Sequence, residues 1–356
     1  MRRLIPFTAL LAASMASSPL AADEPLKVGF IYVGPVGDYG WSYMHDQGRQ
    51  ALDEHFGDAV ETTYVEDVSE GADAQRTIRQ LADAGHDVIF STSFGFMNAT
   101  ARVAERYPDK TFLHATGYRR ADNLGTYLSV TYEGRYVTGT AAGLVTETDT
   151  IGYIASFPIP EVIRDINATF MAAREVNPDV EMRVVWLDTW FDPPRESDAA
   201  NTLIDQGVDV IVQHTDSPAA MSTAEDRGVW AVGQASDMSE FGPSAHLLSV
   251  VNDWSPYYID TVEAVMDGNW ESEDYWGGME EGVIQIKGLS DRLDDDQRSR
   301  VEEVITAIEH GDLHPFEGPI RDQSGELRVE EGEVMSRDEL ASMDWYVEGM
   351  TSRLPD

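Results

Sequence analysis

The chain has 356 residues and carries 25 lysines and arginines against 64 aspartates and glutamates, so its formal net charge is −39. A charge of this sign and size repels nucleic acid and anionic membrane surfaces and argues against both as partners. Because 42% of the residues are hydrophobic and the acidic residues are dispersed, the chain is not a disordered acidic tail, and its charge is typical of a strongly hydrated surface suited to high external salt.

The N-terminus has the pattern of a secretory signal peptide over residues 1–22. Basic residues at Arg2 and Arg3 precede an apolar run over 4–16, and small residues follow up to Ala22. With no cysteine in the chain, there is no disulfide, no thiolate chemistry and no cysteine to carry a lipid anchor. We therefore expect a soluble, monomeric periplasmic protein that is not lipid-anchored and is long enough for two domains.

In chain order, the hydrophobic pattern of the first half alternates between strands and helices. It predicts strands at 26–34, 61–65, 88–91, 111–113 and 124–130, and helices at 42–55, 72–84, 97–106 and 133–145. The pattern then restarts. It predicts strands at 151–155, 183–187, 208–213, 229–232 and 247–251, and helices at 162–176, 197–206, 218–227, 256–266 and 297–308. This order calls for parallel sheets with right-handed crossovers.

One short segment shows that the two halves are related. Residues 81–89 recur in the same frame at 203–211, and each copy reads as a helix end, a glycine and a short apolar strand. Open α/β sheets bind ligands beyond the carboxyl ends of their strands, so two such halves facing each other would enclose one ligand between them. We expect an N-terminal lobe of 26–147 plus about 254–285, and a C-terminal lobe of 148–252 plus about 286–356.

Motifs of known enzymes are missing from the chain. There is no Gly-x-Ser-x-Gly elbow, no His-Glu-x-x-His and no phosphate-binding Gly-x-x-x-x-Gly-Lys loop. The acidic cluster at 291–296 lacks the ligand spacing of an EF-hand loop, so we interpret it as a helix cap. We expect no cofactor and no catalytic activity.

The predicted strand ends instead carry aromatic rings together with carboxylates, which suit a planar heteroaromatic ligand. Rings stack on such a ligand, and carboxylates accept hydrogen bonds from its N–H groups. In the frame of the repeat, Phe94 is equivalent to Asp216. The candidates at these positions are Asp38, Tyr39, Trp41, Ser93, Phe94, Trp190, Phe191, Asp216 and, at the expected hinge, Trp254.

At these residues the chain resembles the basic membrane protein family of solute receptors for ABC importers, whose better-known members bind purine nucleosides. The loop at 38–42 is similar to the family's Asp-x-Ser-Phe-Asn loop, and 133–142 is similar to its Glu-Gly-x-Tyr-x-x-Gly-x-x-Ala segment. The resemblance implies an α/β type I periplasmic binding protein fold, with two Rossmann-like lobes joined by a multi-strand hinge. It also implies stacking by Trp41 and by Trp190 or Phe191, and a binding aspartate at Asp237.

One departure from the family concerns the sugar. Where nucleoside-binding members place a ribose-contacting lysine, this chain has Asn252 at the end of 248–252, and Trp254 follows. The resemblance and this departure together lead us to expect a purine nucleobase of the adenine, guanine, hypoxanthine or xanthine type, delivered to a membrane permease and ATPase. The alternatives are a purine nucleoside receptor, an exported nucleoside hydrolase with Asp38, Asp216 and Asp237 as acids or metal ligands, and a sensory receptor.

Overall fold

The computed structural model describes residues 24–37 and 39–355. Asp38 and the expected signal peptide lie outside this range. In order, the strands are β1 (Leu26–Ile31), β2 (Val60–Val65), β3 (Val88–Ser91), β4 (Thr111–Ala115), β5 (Leu124–Ser129), β6 (Thr150–Ala155), β7 (Glu181–Trp186), β8 (Val210–Gln213), β9 (Trp230–Ala235), β10 (His246–Asn252), β11 (Asp274–Gly277), β12 (Ile284–Lys287), β13 (Ile320–Arg321) and β14 (Leu327–Val329).

The α-helices alternate with these strands through most of the chain. They are α1 (Gly40–Phe56), α2 (Ala72–Asp83), α3 (Met97–Ala104), α4 (Thr131–Val145), α5 (Pro160–Val176), α6 (Pro193–Asp205), α7 (Ala219–Arg227), α8 (Ser255–Met266), α9 (Asp295–Glu309) and α10 (Arg337–Ala341). Among the described residues no helix is both long enough and apolar enough to span a bilayer.

Two six-stranded sheets have the same strand order, which confirms the α/β fold of two Rossmann-like halves. The first sheet runs β11-β5-β4-β3-β1-β2 and the second β12-β10-β9-β8-β6-β7. The sheets differ at one edge, where β11 is parallel to β5 but β12 is antiparallel to β10. The repeated segments each end a helix, pass through a glycine with positive φ (Gly85 at 90°, Gly207 at 94°) and enter β3 or β8.

Helix α4 packs with the second sheet, so the lobe expected to end at 147 in fact ends before this helix. Its main contacts are with α5, α9, β10 and β12. Close approach is achieved through glycine, because a β-carbon on Gly139 would lie 2.0 Å from the Thr169 carbonyl oxygen. Below, the N-terminal lobe means β1–β5, α1–α3, α8 and β11, and the C-terminal lobe means the remaining elements.

The chain passes between the lobes after β5, after β10 and after β11. At these passages the side-chain amide of Asn252 donates to Ser129 Oγ at 2.8 Å, and the Val130 N–H donates to the Gly277 carbonyl at 2.8 Å. Strands β11 and β12, each of four residues and next to a passage, were not predicted. The acidic cluster caps a helix as expected, because Asp294 and Gln297 form a capping box at the start of α9.

Candidate functional site: a cavity between the lobes

A cavity of about 350 Å³ lies where the strand ends of the two lobes meet. The N-terminal lobe contributes Val33, Trp41, Ser93, Phe94 and Thr116, and the C-terminal lobe contributes Ile159, Glu161, Trp190, His214, Asp216 and Gln234. The geometry is therefore suited to a small ligand held between two lobes.

The indole rings of Trp41 and Trp190 reach this cavity from opposite lobes. Trp41 is fixed by a hydrogen bond from its Nε1 to the Thr92 carbonyl at 2.6 Å, and it packs edge-on against Trp254 at 5.5 Å between centroids. Trp190 packs against Phe157 at 5.1 Å, and within the described part of the chain its buried Nε1 has no hydrogen-bond partner. A planar ligand can therefore meet one aromatic ring from each lobe.

Asp216 joins the two lobes at the cavity wall. Its Oδ1 accepts a hydrogen bond from the Trp41 backbone N–H at 3.0 Å, and its own N–H donates to the Trp190 carbonyl at 2.9 Å. Burial raises the pKa of the Asp216 carboxyl to about 8, which the Trp41 hydrogen bond partly opposes. The carboxyl can therefore donate as well as accept hydrogen bonds near neutral pH.

Behind the cavity lies a buried polar network centred on Arg135. This guanidinium is fully buried, donates to the Gln213 carbonyl at 2.9 Å, and also bonds the Gln234 side chain. Asp165 Oδ2 lies 3.7 Å from Arg135 Nε and 3.5 Å from His214 Nδ1. Burial and the nearby arginines hold the pKa of His214 well below its usual value, so the cavity meets a neutral imidazole.

The lobes are also joined outside the cavity, at the start of α1. The Gly40 N–H donates to Ser236 Oγ at 2.9 Å, and a β-carbon on Gly40 would lie 2.4 Å from the Asp216 carbonyl oxygen. The Tyr39 hydroxyl donates to Glu240, and its ring meets Phe241 edge-on at 4.8 Å. These contacts belong to a closed arrangement of the lobes.

Half of the sequence-predicted binding residues line the cavity: Trp41, Ser93, Phe94, Trp190 and Asp216. The prediction of Asp38 falls outside the described residues. Four others lie elsewhere. Tyr39 contacts the opposite lobe away from the cavity, Phe191 is half-buried beside Trp190, Asp237 is exposed and accepts a hydrogen bond from Ser239, and Trp254 is fully buried behind Trp41.

Several cavity residues were missed from the sequence, namely Val33, Thr116, Ile159, Glu161, His214 and Gln234. All of them except Glu161, which lies in the first turn of α5, end a strand or lie in the loop after one, so the rule that ligands bind at carboxyl ends would have included those five. Thr116 has a further signal in its backbone, because a β-branched residue at φ 61° is a conformational outlier and such outliers cluster at functional sites.

A second cavity of about 350 Å³ adjoins the first and shares Phe94, Thr116 and Glu161 with it. The far side of this adjoining cavity is lined by Arg164 and Trp276, and Tyr118 also lines it. Arg164 is 3% exposed and packs over the Trp276 ring at 5.4 Å. Its Nη1 donates to the Leu340 carbonyl at 3.2 Å, whereas its Nε and Nη2 have no partner among the residues that the structure describes.

The fold and the interlobe cavity define a two-lobed solute-binding protein of the type I periplasmic class. The chain belongs to the PnrA-like family of ABC transporter substrate-binding proteins, whose family model matches residues 26–310. Proteins of this kind bind a small molecule and work with a permease and an ATPase. No group of three or more potential metal ligands occurs within residues 24–37 and 39–355.

Two relatives have informative names. A purine-binding protein of Brucella abortus is 49% identical over 98% of this chain and 99% of its own length. A putative ABC transporter glucose-binding protein of Haloferax volcanii is 42% identical over 93% of this chain and 82% of its own length. Among solved structures, a solute-binding protein from Aeropyrum pernix K1 has a TM-score of 0.70 at 20% identity, covering 82% of this chain and 93% of its own. That likeness concerns the fold alone.

Proposed function

We propose that this protein is the periplasmic receptor of an ABC importer and binds a purine nucleobase between its lobes. The observation that carries the proposal is the small cavity lined by Trp41 from one lobe and Trp190 from the other, with the Asp216 carboxyl beside them. Aromatic stacking of a base contributes about 1 to 3 kcal/mol per ring. The name of the Brucella abortus relative supports the purine class.

The boundary between the two cavities favours the free base. A sugar on a base in the first cavity would have to pass the residues common to both cavities, Phe94, Thr116 and Glu161. The missing family lysine also supports a base. In the structure the Asn252 side chain donates to Ser129 Oγ at the hinge and lines neither of the two cavities.

A purine nucleoside is the second candidate, and the adjoining cavity is the observation that favours it. Its buried Arg164 guanidinium has two nitrogens, Nε and Nη2, that lack a hydrogen-bond partner among the described residues, and the oxygens of sugar hydroxyls accept hydrogen bonds from such donors. In this arrangement the base would lie between the tryptophans and the pentose in the adjoining cavity.

Calorimetry separates these candidates. Adenine, guanine, hypoxanthine and xanthine should bind more tightly than adenosine and guanosine. Glucose is included because the name of the Haloferax volcanii relative describes a putative glucose-binding protein. Tight nucleoside binding with weak base binding would select the second candidate. Glucose binding with no response to any purine would refute both.

Export is part of the same proposal. We infer that residues 1–22 are removed as a signal peptide, leaving a mature chain that begins near Asp23. Cell fractionation followed by N-terminal sequencing tests this. Recovery of the full-length chain from the cytoplasm alone would contradict it.

A further inference from the structure

Glu161 occupies a particular place among the cavity residues. It is the second residue of α5, it is 7% exposed, and it lines both the first cavity and the adjoining one. The other two shared residues, Phe94 and Thr116, belong to the N-terminal lobe. Glu161 is therefore the contribution of the C-terminal lobe to the junction between the cavities.

The carboxyl group of Glu161 differs from the other acidic group of the cavity. Asp216 already accepts the Trp41 N–H, whereas none of the hydrogen bonds found among the described residues uses the Glu161 side chain. The Glu161 carboxyl oxygens are not among the fully buried, unpartnered polar atoms of the described residues, so they remain accessible at the cavity surface. A ligand N–H can reach them there, and a hydrogen bond to a charged group is stronger than one between neutral groups.

The surroundings of Glu161 leave part of its carboxyl group ionised at neutral pH. Burial raises its pKa to about 7, while the charges of Arg164 and Arg135 act in the opposite direction. Its place in the first turn of α5 also favours a negative charge. The other titratable groups around it are Asp165 on α5, and His214 and Asp216 after β8.

We propose that Glu161 is a ligand-binding residue whose carboxylate accepts an N–H group from the edge of the nitrogen heterocycle held between Trp41 and Trp190. This inference rests on the proposed function, since the N–H group belongs to the ligand proposed above. Glu161 lies on the cavity wall opposite Ser93 and Phe94, so the site would select a ring whose hydrogen-bond donor points towards the C-terminal lobe.

Titration calorimetry with adenine on the full mature chain tests the assignment. Glu161→Ala should weaken binding about 10- to 100-fold, the usual effect of losing a hydrogen bond to a charged group. Glu161→Gln keeps the volume and an acceptor oxygen, so its loss should be smaller. Glu181→Gln, at an exposed glutamate in the same lobe, is the matched control and should bind as the wild type does.

A second readout distinguishes binding from a structural role. If the ligand N–H donates to the carboxylate, adenine binding at pH 7 releases a fraction of a proton, which calorimetry in buffers of different ionisation enthalpy measures. That release should fall in Glu161→Gln and stay in Glu181→Gln. Wild-type affinity in Glu161→Ala, together with unchanged proton release in Glu161→Gln, would overturn the role of Glu161 alone. Failure of the wild type to bind any purine would overturn the proposed function as well.

Discussion

The backbone N–H of Trp41 in the N-terminal lobe donates to the Asp216 carboxylate of the C-terminal lobe at 3.0 Å. Two of the residues around the proposed ligand thus bind each other across the cleft when it closes. This hydrogen bond holds the Trp41 backbone, while the Trp41 ring is held by Thr92 of its own lobe, so closure brings the Asp216 carboxyl to a ring that is already placed. A ligand that favours this arrangement shifts the lobes towards it.

Removing either stacking ring should weaken binding. Trp41→Ala and Trp190→Ala should each lower affinity for a purine base about 10- to 100-fold, because each removes one aromatic face. Trp41→Phe keeps a face and should cost much less. Calorimetry gives the affinities, and tryptophan fluorescence should be quenched by ligand in the wild type and less so in Trp41→Phe. Trp270→Ala, which lies outside both cavities, should bind normally. Wild-type affinity in Trp41→Ala would show that the ligand lies elsewhere.

Closure of the two lobes should depend on residue 40 being a glycine, which has no side chain. Its φ is 80°, and an added β-carbon would lie 2.4 Å from the Asp216 carbonyl oxygen and 2.6 Å from Asp216 Cβ. Gly40→Ala should therefore lower ligand affinity about tenfold or more. Gly71→Ala is the matched control, because Gly71 has φ 90° and open space around it. Both variants should lose about 1 to 3 kcal/mol of stability from backbone strain, but only Gly40→Ala should lose affinity. Equal affinities in the two variants would contradict the interlobe contact.

The contact of Tyr39 with Glu240 and Phe241 should slow ligand release. Tyr39→Phe and Phe241→Ala remove parts of this contact without changing any residue that lines the first cavity. We expect each to raise the dissociation rate about two- to fivefold, since partly exposed contacts contribute up to about 1 kcal/mol. Stopped-flow fluorescence measures the rate. The control is Tyr107→Phe, which removes a tyrosine–carboxylate hydrogen bond inside the N-terminal lobe and should leave release unchanged.

The buried Asp165 should make stability depend on pH. Burial raises its pKa from 3.8 to about 8. Between these values the unfolded chain is ionised while the folded chain keeps the proton, so the free energy of unfolding should fall as pH rises from about 4 to 8. Asp165→Asn resembles the protonated form and should show a smaller fall, with stability near that of the wild type at low pH. Denaturant unfolding at several pH values measures the slope, and the exposed Asp179→Asn should leave it unchanged. A wild-type slope in Asp165→Asn would exclude this group as the source.

The acidic surface should make stability depend on salt. With a net charge of −39, carboxylates repel one another at low ionic strength, and added salt screens that repulsion. We expect the melting temperature to rise by a few degrees from low to molar salt, at about 2 to 4 °C for each kcal/mol gained. Affinity for a neutral base should change little. A melting temperature that is flat over this range would count against adaptation to high salt.

The sequence predicted the architecture well because the duplication is visible in it. The frame that aligns residues 81–89 with 203–211 also relates Phe94 to Asp216, and both line the cavity. The short strands β11 and β12 were missed because they mix polar with apolar residues, unlike the equally short β3 and β8, which each begin with a run of three apolar residues.

The candidate site was harder to predict, because neighbouring residues of one loop have different environments. Tyr39 and Trp41 are two positions apart, yet Tyr39 contacts Phe241 whereas Trp41 lines the cavity. Trp254 is a strand-end aromatic that packs into the core behind Trp41. Glu161 was missed for the opposite reason, since an acidic residue in the first turn of a helix is ordinary and only the tertiary structure shows that it is buried at a cavity.

The part of the chain beyond the family match reaches the adjoining cavity. The family model ends at residue 310, whereas Leu340 accepts the Arg164 hydrogen bond and Ala341 lines the cavity wall. The proposed ring-binding residues Trp41 and Trp190 thus lie within the part that the family model matches, and the back of the second compartment is built partly from residues beyond it. Exchange of tails between related receptors would then alter the substituents they admit while leaving the ring they recognise unchanged.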